Sequence, residues 1–219
     1  MLEKLKNNII VSCQANNKEP LYSPEALLLM AKSAITGGAV ALRAEGCLSI
    51  RLFKKFYNVP IIGLIKKDYN DSDIYITPTI EDVSKTVIAG AEIISIDATL
   101  RKRPNNENTK DLLKVIKEKY NCLAMADIST YEEGLEAEKL GFDLIGTTLS
   151  GYTPYSKQSD KADFELLEKL VKNLKTPIIM EGKINTPQEV KRAFEIGAFS
   201  VVIGSAITRP HLITKNFLV

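Results

Sequence analysis

Eight short apolar runs, regularly spaced along the chain, constrain the fold more than any other feature of the sequence. Each run is five to seven residues long and is dominated by Ile, Val, Leu and Ala. Continuous apolar runs of this length are typical of strands that are buried on both faces, as in a parallel sheet. The sequence therefore predicts eight strands, at residues 8–14, 39–43, 60–66, 92–97, 122–127, 143–147, 177–181 and 200–204.

Amphipathic segments separate these runs and predict helices. Residues 108–120 and 163–174 each gather their apolar side chains on one helical face. Thr186 and Pro187 predict the start of a further helix, with a capping-box pattern and a proline in the first turn. We expect Ser23-Pro24 and Thr77-Pro78 to open helices in the same way. Strands that alternate with helices predict a parallel sheet built from repeated strand–helix units.

A weak internal repeat favours closure of this sheet into a barrel. A glycine precedes the second, fourth, sixth and eighth predicted strands, at Gly38, Gly90, Gly141 and Gly197. The spacing corresponds to two strand–helix units, which suits an eight-stranded barrel whose interior layers draw on alternate strands. We therefore predict an α/β fold, a single (β/α)8 TIM barrel over residues 1–219. A doubly wound open sheet is the alternative.

Charge and residue usage exclude several functional classes. The 29 basic and 27 acidic residues give a net charge of +2, so no broad basic face for nucleic acid is expected. No run approaches the roughly 18 apolar residues that cross a bilayer, so no membrane partner is expected. Cys13, Cys47 and Cys122 lie far apart, which predicts reduced thiols and a cytoplasmic protein. The single histidine, His211, excludes a multi-histidine metal site.

Polar residues stand at the ends of most predicted strands. In a (β/α)8 barrel the carboxyl ends of the strands meet on one rim, and that rim carries the chemistry. We expect Lys66 and Glu181 to be functional, because each follows a strongly apolar strand and must project into the mouth of the barrel. Asp97 is expected to be an ion-pair partner that holds the rim together. The full set is Gln14, Arg43, Lys66, Asp97, Asp127, Thr147-Thr148, Glu181 and Gly204-Ser205.

The last strand predicts an anion site. Gly204 and Ser205 allow the backbone to approach a ligand closely, and a following helix would add free N–H groups. Arg209 could add a bidentate contact to a phosphate. Asp97, Asp127 and Glu181 could hold a hard divalent ion, but we predict no metal and no cofactor.

Two loops also stand out. Residues 150–158 form a hydroxyl-rich loop after the sixth strand, which predicts either a lid over a polar ligand or a solvated loop. The basic cluster at residues 101–104 is expected to be a surface loop or an oligomer contact. The apolar C-terminal residues Ile213, Phe217, Leu218 and Val219 predict either a homodimer contact or a cap on the barrel.

Several strand-end motifs together resemble one family. They are IVSCQA at 10–15, LRA at 42–44, PIIGLIK at 60–66, IYITPT at 74–79, AMADIS at 124–129, GTTLSGYT at 146–153, EGKINTP at 181–187 and GSAITRP at 204–210. With these motifs the chain resembles, over essentially its full length, the N-acetylmannosamine-6-phosphate 2-epimerases of bacterial sialic acid breakdown. The resemblance implies an isomerase whose substrate is a small phosphorylated amino sugar. It would interconvert N-acetylmannosamine 6-phosphate and N-acetylglucosamine 6-phosphate.

The resemblance also implies roles for individual residues. Lys66 and Glu181 would act at the second carbon of the sugar by removing and returning a proton. Sugar contacts map onto Gln14, Arg43 and Asp127, and phosphate contacts onto Gly204, Ser205 and Arg209. Ser205 departs from the second glycine that often follows Gly204 in the family. We expect further substrate contacts from Thr147, Ser150 and Gly182.

Three alternatives remain open from the sequence. Lys66 could form a Schiff base with the first carbon instead of acting as a base. The chain could be another lysine-dependent sugar-phosphate barrel, an aldolase or a decarboxylase. It could also be a catalytically silent sugar-phosphate sensor, which would require the Lys66–Glu181 pair to be mispositioned.

Overall fold

Eight parallel strands close into a barrel in chain order, and the last strand pairs with the first. The structure is a computed structural model and describes residues 1–218. Its closed sheet confirms the predicted (β/α)8 fold. Each predicted strand is present, although the second begins and ends two residues later than expected. The strands are β1 (Ile9–Cys13), β2 (Ala41–Glu45), β3 (Ile61–Leu64), β4 (Ile93–Asp97), β5 (Leu123–Asp127), β6 (Leu144–Gly146), β7 (Ile178–Glu181) and β8 (Ser200–Ile203).

Helices follow the strands and pack against the outer face of the barrel. The last two helices, which follow β8, are short. Among the described residues no helix is long and apolar enough to cross a membrane. The helices are α1 (Pro24–Thr36), α2 (Cys47–Phe56), α3 (Ile80–Ile88), α4 (Thr109–Lys114), α5 (Tyr131–Leu140), α6 (Phe164–Asn173), α7 (Pro187–Ile196), α8 (Ser205–Thr208) and α9 (Pro210–Lys215).

The predicted helix starts are mostly confirmed. The Ser23 hydroxyl caps α1, and Thr186 forms a capping box with Glu189 at the start of α7. The predicted start at Thr77-Pro78 is wrong, because Thr79 is the residue that caps α3. The Thr77 hydroxyl instead donates to the carbonyl of Ser95 and accepts from the backbone of Ile65. Its polar group is therefore used to join two strand ends.

The helix predicted at 108–120 is present but irregular. Asn108 caps α4, and the chain continues as a π-helical turn over Val115–Lys119. Residues 163–174 form α6 as expected, with the Asp163 side chain accepting from the backbone of Leu166. The amphipathic spacing therefore predicts the positions of both helices, but it does not predict the π-helical turn at the end of the first one.

The barrel interior is filled by one layer of apolar side chains, one from each strand. Leu5 closes the layer from the amino-terminal side of the strands. Because side chains alternate across a strand, the residue two positions further along each strand also points inward. The next inward positions therefore lie at the carboxyl rim. The layer comprises Ile10, Ala41, Ile62, Ile93, Met125, Leu144, Ile179 and Val202.

The basic cluster at 101–104 is largely turned inward, so its prediction as a surface loop is wrong. Arg103 is buried and donates to the carbonyls of Thr77, Pro78 and Asp97. Arg101 pairs with Asp97 at 2.6 Å, which confirms the expectation that Asp97 is an ion-pair partner at the rim. Buried carbonyls at strand ends need donors, and these two arginines supply them.

The C-terminal segment leaves its apolar side chains uncovered. Helix α9 ends at Lys215, and the Phe217 and Leu218 side chains are largely exposed. Val219, which belonged to the predicted homodimer contact, lies outside the described residues. The Phe217 and Leu218 side chains therefore do not cap the barrel, while Ile213 is half-buried in α9. The dimer contact stays a prediction.

Gly63, in the middle of β3, permits the closest packing between barrel and helices. A Cβ atom at this position would lie 2.5 Å from the Ala91 Cβ and 2.8 Å from the Thr86 Cγ2. Gly37, at the end of α1, has φ of −76° and its nearest neighbours would lie 3.4 Å away. Packing therefore requires a glycine at position 63 but not at position 37, so the two positions can be compared directly.

We expect Gly63→Ala to destabilise the protein by roughly 1–3 kcal/mol, because overpacking forces the wall and the helices apart. Gly37→Ala should change stability little, or raise it by up to about 1 kcal/mol, because it restricts the unfolded chain. Urea unfolding followed by circular dichroism measures both. Equal midpoints for the two variants would contradict the packing argument.

Candidate active site

A cavity of about 270 Å³ opens at the carboxyl ends of the strands. It lies above the apolar interior layer, where the inward-facing rim positions converge. The structure brings most of the residues selected from the sequence into this one space. The predicted residues that line it are Gln14, Arg43, Lys66, Glu181, Gly182, Gly204, Ser205 and Arg209.

Arg43, on β2, occupies the floor of the cavity and is almost fully buried. Its guanidinium donates to both carboxylate oxygens of Asp127, at 2.7 and 3.1 Å, and to the Ser95 hydroxyl. Glu181 lies 3.1 Å away on the other side. Burial lowers the pKa of Arg43, but the charges of Asp127 and Glu181 outweigh it and raise that pKa overall. Arg43 is therefore a permanent cation inside the barrel.

Asp127, at the end of β5, lies beneath the cavity rather than in its lining. It accepts from Arg43 twice, from the Ser95 hydroxyl at 2.7 Å and from the Thr148 hydroxyl at 2.6 Å. Both carboxylate oxygens are thus saturated with donors. The structure assigns Asp127 to holding Arg43, and its predicted contact with substrate finds no support in the cavity lining.

Glu181, at the end of β7, reaches the cavity with its carboxyl group. Burial raises its pKa from the ordinary 4.5 to about 7, and the Arg43 cation limits this rise. The Asp127 charge raises the pKa further. A carboxyl group with a pKa near 7 can both give and accept a proton at neutral pH, as a general acid or base requires.

Lys66 is held by a short hairpin that follows β3. Its backbone pairs in an antiparallel bridge with Ile76, and its N–H donates to the Glu45 carboxylate. The Lys66 side chain is exposed at the mouth of the cavity, but the surrounding protein removes water from its amine, and this desolvation lowers the pKa of Lys66. The Arg43 cation lowers that pKa further. A lowered pKa makes the neutral, basic form of the amine accessible.

The residues of the predicted anion site lie together after β8. Gly204 precedes α8, whose first residue is Ser205, and both line the cavity. Arg209 donates to the Ser205 hydroxyl at 2.6 Å and pairs with Glu19. These contacts hold the guanidinium along the cavity wall. Its bidentate contact with a phosphate stays a prediction.

Two further predicted substrate ligands do not line the cavity. The Thr147 hydroxyl donates to the carbonyl of Glu181 and accepts from its N–H, so it joins the ends of β6 and β7. The Ser150 hydroxyl donates to Asp163, the residue that caps α6. Both side chains are buried in the scaffold. Their roles as direct substrate ligands stay untested predictions.

Other lining residues were not selected from the sequence. They include Ser12, Tyr75, Lys183 and Asn185. The inward alternation of the strands points to Ser12, which stands two positions after Ile10. Thr148, one of the predicted strand-end residues, lines the cavity four positions after Leu144. Burial raises the pKa of the Tyr75 hydroxyl to about 12, so it is a neutral hydrogen-bond donor at the cavity wall.

Lys183 fastens the hydroxyl-rich loop beside the cavity. Its ammonium lies 4.6 Å above the Tyr152 ring and donates to the carbonyl of Ser159. Gly151 leaves room for this side chain, because a Cβ there would lie 2.3 Å from the Lys183 Nζ. Lys183 itself has φ of +59°, a left-handed conformation that costs a non-glycine residue free energy. The loop is therefore fastened at one side of the cavity, which Tyr152 alone of residues 150–158 lines. Its role as a lid stays a prediction.

Comparisons with known proteins show which family the chain matches. The family model described as "Putative N-acetylmannosamine-6-phosphate epimerase" matches residues 27–219. A relative from Clostridium perfringens (strain 13 / Type A), which carries the corresponding 2-epimerase name, is 58% identical over 217 residues, 99% of this chain and 98% of its own. A relative of the same name from Clostridioides difficile (strain 630) is 54% identical and covers 100% of this chain and 97% of its own.

Two solved structures are also similar. The N-acetylmannosamine-6-phosphate 2-epimerase from Clostridium perfringens superposes with a TM-score of 0.97 at 57% identity, over 99% of this chain and 94% of that one. Thiamine phosphate pyrophosphorylase from Pyrococcus furiosus superposes with a TM-score of 0.62 at 17% identity, over 100% of this chain and 99% of that one. The second likeness shows the fold alone.

We expect Lys183→Ala to loosen residues 151–160, because it removes the cation–π contact and the hydrogen bond to Ser159. Amide hydrogen exchange in this loop should become faster while the barrel strands keep their protection. Lys157→Ala is the control, since that lysine sits on the same loop but pairs with Glu165 at an exposed position. Loop exchange that is unchanged in Lys183→Ala, or equally increased in both variants, would contradict this role.

Carboxylate-to-amide changes at the two partners of Arg43 should have opposite effects on stability. The raised pKa of Glu181 contributes stability that is present below about pH 4.5 and lost as pH rises through about 7. A glutamine at position 181 has no proton to lose. As pH rises from about 5 to about 8, the free energy of unfolding of Glu181→Gln should therefore increase relative to that of the wild type, by up to about 3 kcal/mol.

Asp127→Asn is the matched control, because it removes the main partner of the same buried cation. It should destabilise the fold by roughly 3–5 kcal/mol across that pH range. Urea unfolding at a series of pH values measures both variants. A Glu181→Gln curve that runs parallel to the wild type would show that Glu181 does not titrate in this window.

Proposed function

The chain belongs to the N-acetylmannosamine-6-phosphate epimerase family, and from this premise we propose how its cavity carries out the reaction. The protein is an isomerase, a 2-epimerase that interconverts N-acetylmannosamine 6-phosphate and N-acetylglucosamine 6-phosphate. These two sugars differ only in configuration at the second carbon. Catalysis must therefore remove a proton from one face of that carbon and return one to the other.

The chemistry begins with the ring-opened sugar, in which the first carbon is an aldehyde. The adjacent carbonyl group acidifies the proton on the second carbon, and its removal gives an enediol-type anion. Protonation of that anion on the opposite face completes the inversion. The site must supply a proton acceptor, a proton donor and positive charge for the developing oxyanion.

Lys66 and Glu181 are the groups to which we assign the proton transfers. The observation that carries this assignment is that they line the same cavity with pKa values displaced toward neutrality, lowered for Lys66 and raised for Glu181. One group can then act as the base while the other acts as the acid, and the roles reverse in the opposite direction. Displacement of both pKa values toward the working pH favours general acid and base catalysis.

Arg43 supplies the positive charge in this scheme. It is buried, permanently charged and adjacent to Glu181, so it can stabilise an oxyanion at the first carbon without reorganising. We assign the sugar hydroxyls to Gln14 and the Gly182 backbone, which also line the cavity. Asp127 acts indirectly, by fixing Arg43 in place.

The phosphate group is assigned to the segment after β8. Gly204, Ser205 and Arg209 present small residues, backbone N–H groups and a guanidinium to one end of the cavity. Phosphate sites after the last strands are frequent in this fold. We further propose a cytoplasmic location and a homodimer, neither of which the reaction scheme requires.

We expect Lys66→Ala and Glu181→Ala each to lower turnover by about 10²-fold or more, since each removes a general acid or base. Proton NMR in deuterated water measures this directly, because epimerisation exchanges the hydrogen on the second carbon without cleaving a carbon–carbon bond. Lys67→Ala is the control, since the neighbouring lysine is exposed and contacts Tyr69.

The same experiment decides between the alternatives. Wild-type turnover in either Lys66→Ala or Glu181→Ala would contradict the assignment. Products of carbon–carbon cleavage would point to an aldolase or a decarboxylase. Borohydride treatment during turnover, followed by mass spectrometry, would reveal a sugar adduct if Lys66 forms a Schiff base.

A further inference from the structure

The Thr148 hydroxyl lies between the two carboxyl groups that flank Arg43. Its Oγ1 is 2.6 Å from the Asp127 Oδ1 and 3.1 Å from the Glu181 Oε2. Thr148 follows β6, the strand between β5 and β7, so its side chain bridges the ends of the two neighbouring strands. A hydroxyl has one hydrogen to donate, which means that it cannot donate to both carboxyl groups at once.

The shorter distance assigns that hydrogen to Asp127. Oδ2 of Asp127 accepts from Arg43 and from Ser95, while Oδ1 accepts from Arg43 and needs one further donor. Thr148 is the second donor to Oδ1 of Asp127. Asp127 is the ionised carboxylate that pairs with the buried Arg43 cation. Hydrogen bonds to an ionised acceptor are shorter and stronger than those between neutral groups.

Glu181 then faces the lone pairs of the Thr148 oxygen. An ionised Glu181 would place two acceptors 3.1 Å apart, whereas a protonated Glu181 would donate its own hydrogen to Thr148. The NH1 hydrogens of Arg43 point to Ser95 and Asp127, so its contact with Glu181 is an attraction between charges. Only the protonated form of Glu181 completes the chain Glu181–Thr148–Asp127.

We propose that Thr148 is a positioning residue that keeps a proton on Glu181 in the resting enzyme by accepting from Glu181 while donating to Asp127. When Glu181 gives up its proton, the hydroxyl can satisfy only one of the two carboxylates. The ionised state therefore has one hydrogen bond fewer than the protonated state. This inference rests on the proposed function, in which Glu181 carries the transferable proton.

Charged groups around Glu181 also affect whether it is protonated or ionised, but they act through their charge and not through the direction of a hydrogen bond. Arg43 on β2 and the amine of Lys66 after β3 favour the ionised form, and Asp127 on β5 favours the protonated form. Further titratable groups line the same cavity. They are Tyr75, Tyr152, Lys183 and Arg209. Thr148 differs from all of these because it carries no charge, so its effect depends on hydrogen-bond direction alone. As a donor to Glu181 it would lower the Glu181 pKa. Because the shorter bond commits its hydrogen to Asp127, it is an acceptor from Glu181 and favours the protonated form.

The test is a titration of Glu181 in the resting enzyme without substrate. Protein labelled with ¹³C at the glutamate side-chain carboxyl gives one resonance that Glu181→Gln removes, and its shift is followed with pH. We expect Thr148→Val to lower the Glu181 pKa by about one unit, which is the loss of about one net hydrogen bond from the protonated state. Thr148→Ser should restore the wild-type value.

Ser95→Ala is the control, because it removes another hydrogen bond to Asp127 while leaving the Thr148–Glu181 contact in place. It also removes an acceptor of the Arg43 guanidinium. Its effect on the Glu181 titration should be less than half that of Thr148→Val. Circular dichroism verifies that each variant is folded. A Glu181 pKa that is unchanged or raised in Thr148→Val would overturn the proposal, and so would an equal effect of Ser95→Ala.

This experiment separates failure of the inference from failure of the proposed function. The titration needs no turnover, so it reports on Thr148 even if Glu181 has no part in catalysis. Hydrogen exchange at the second carbon, measured with Glu181→Ala, reports on the function whatever Thr148 does. In that assay Thr148→Val should lower kcat about tenfold with little change in KM, and Thr148→Ser should recover it.

Discussion

The ion pair between Arg43 and Asp127 is the interaction on which the rest of the site depends. A guanidinium inside a barrel loses its hydration and is tolerable only when carboxylate and hydroxyl acceptors surround it. Asp127 meets this requirement from the far side of the barrel, with Ser95 beside it. The pair thereby places a fixed positive charge directly above an apolar layer. The pKa values of Glu181 and Lys66 both respond to that charge.

Two carboxyl groups share this one cation, and their surroundings make them behave differently. Asp127 is saturated by donors and serves as the constant counterion of Arg43. Glu181 receives less support, because burial opposes its charge and Arg43 is already committed to its neighbour. One site thus contains a structural carboxylate and a proton-carrying carboxyl group of the same chemistry. Environment, rather than residue type, separates the two functions.

The fold and the main site residues could be predicted because both follow from regular patterns. Apolar runs located every strand, and polar residues at their ends located Lys66 and Glu181. The sequence approach failed where contacts are not periodic: Thr77 joins two strand ends instead of opening a helix, and Arg103 turns inward to bind carbonyls. Of the two adjacent threonines at the end of β6, Thr148 lines the cavity, as counting along the strand from Leu144 predicts. The Thr147 hydroxyl joins β6 to β7, and its role as a substrate ligand stays a prediction.

The left-handed backbone of Lys183 has a consequence for how this protein can change. Glycine or asparagine would adopt the φ of +59° at lower cost, so selection for heat resistance alone would favour replacing the lysine. Either replacement would also release Tyr152 and Ser159 from its ammonium group. At this position the free-energy cost of the left-handed backbone is therefore set against the anchoring of the neighbouring loop by the same side chain.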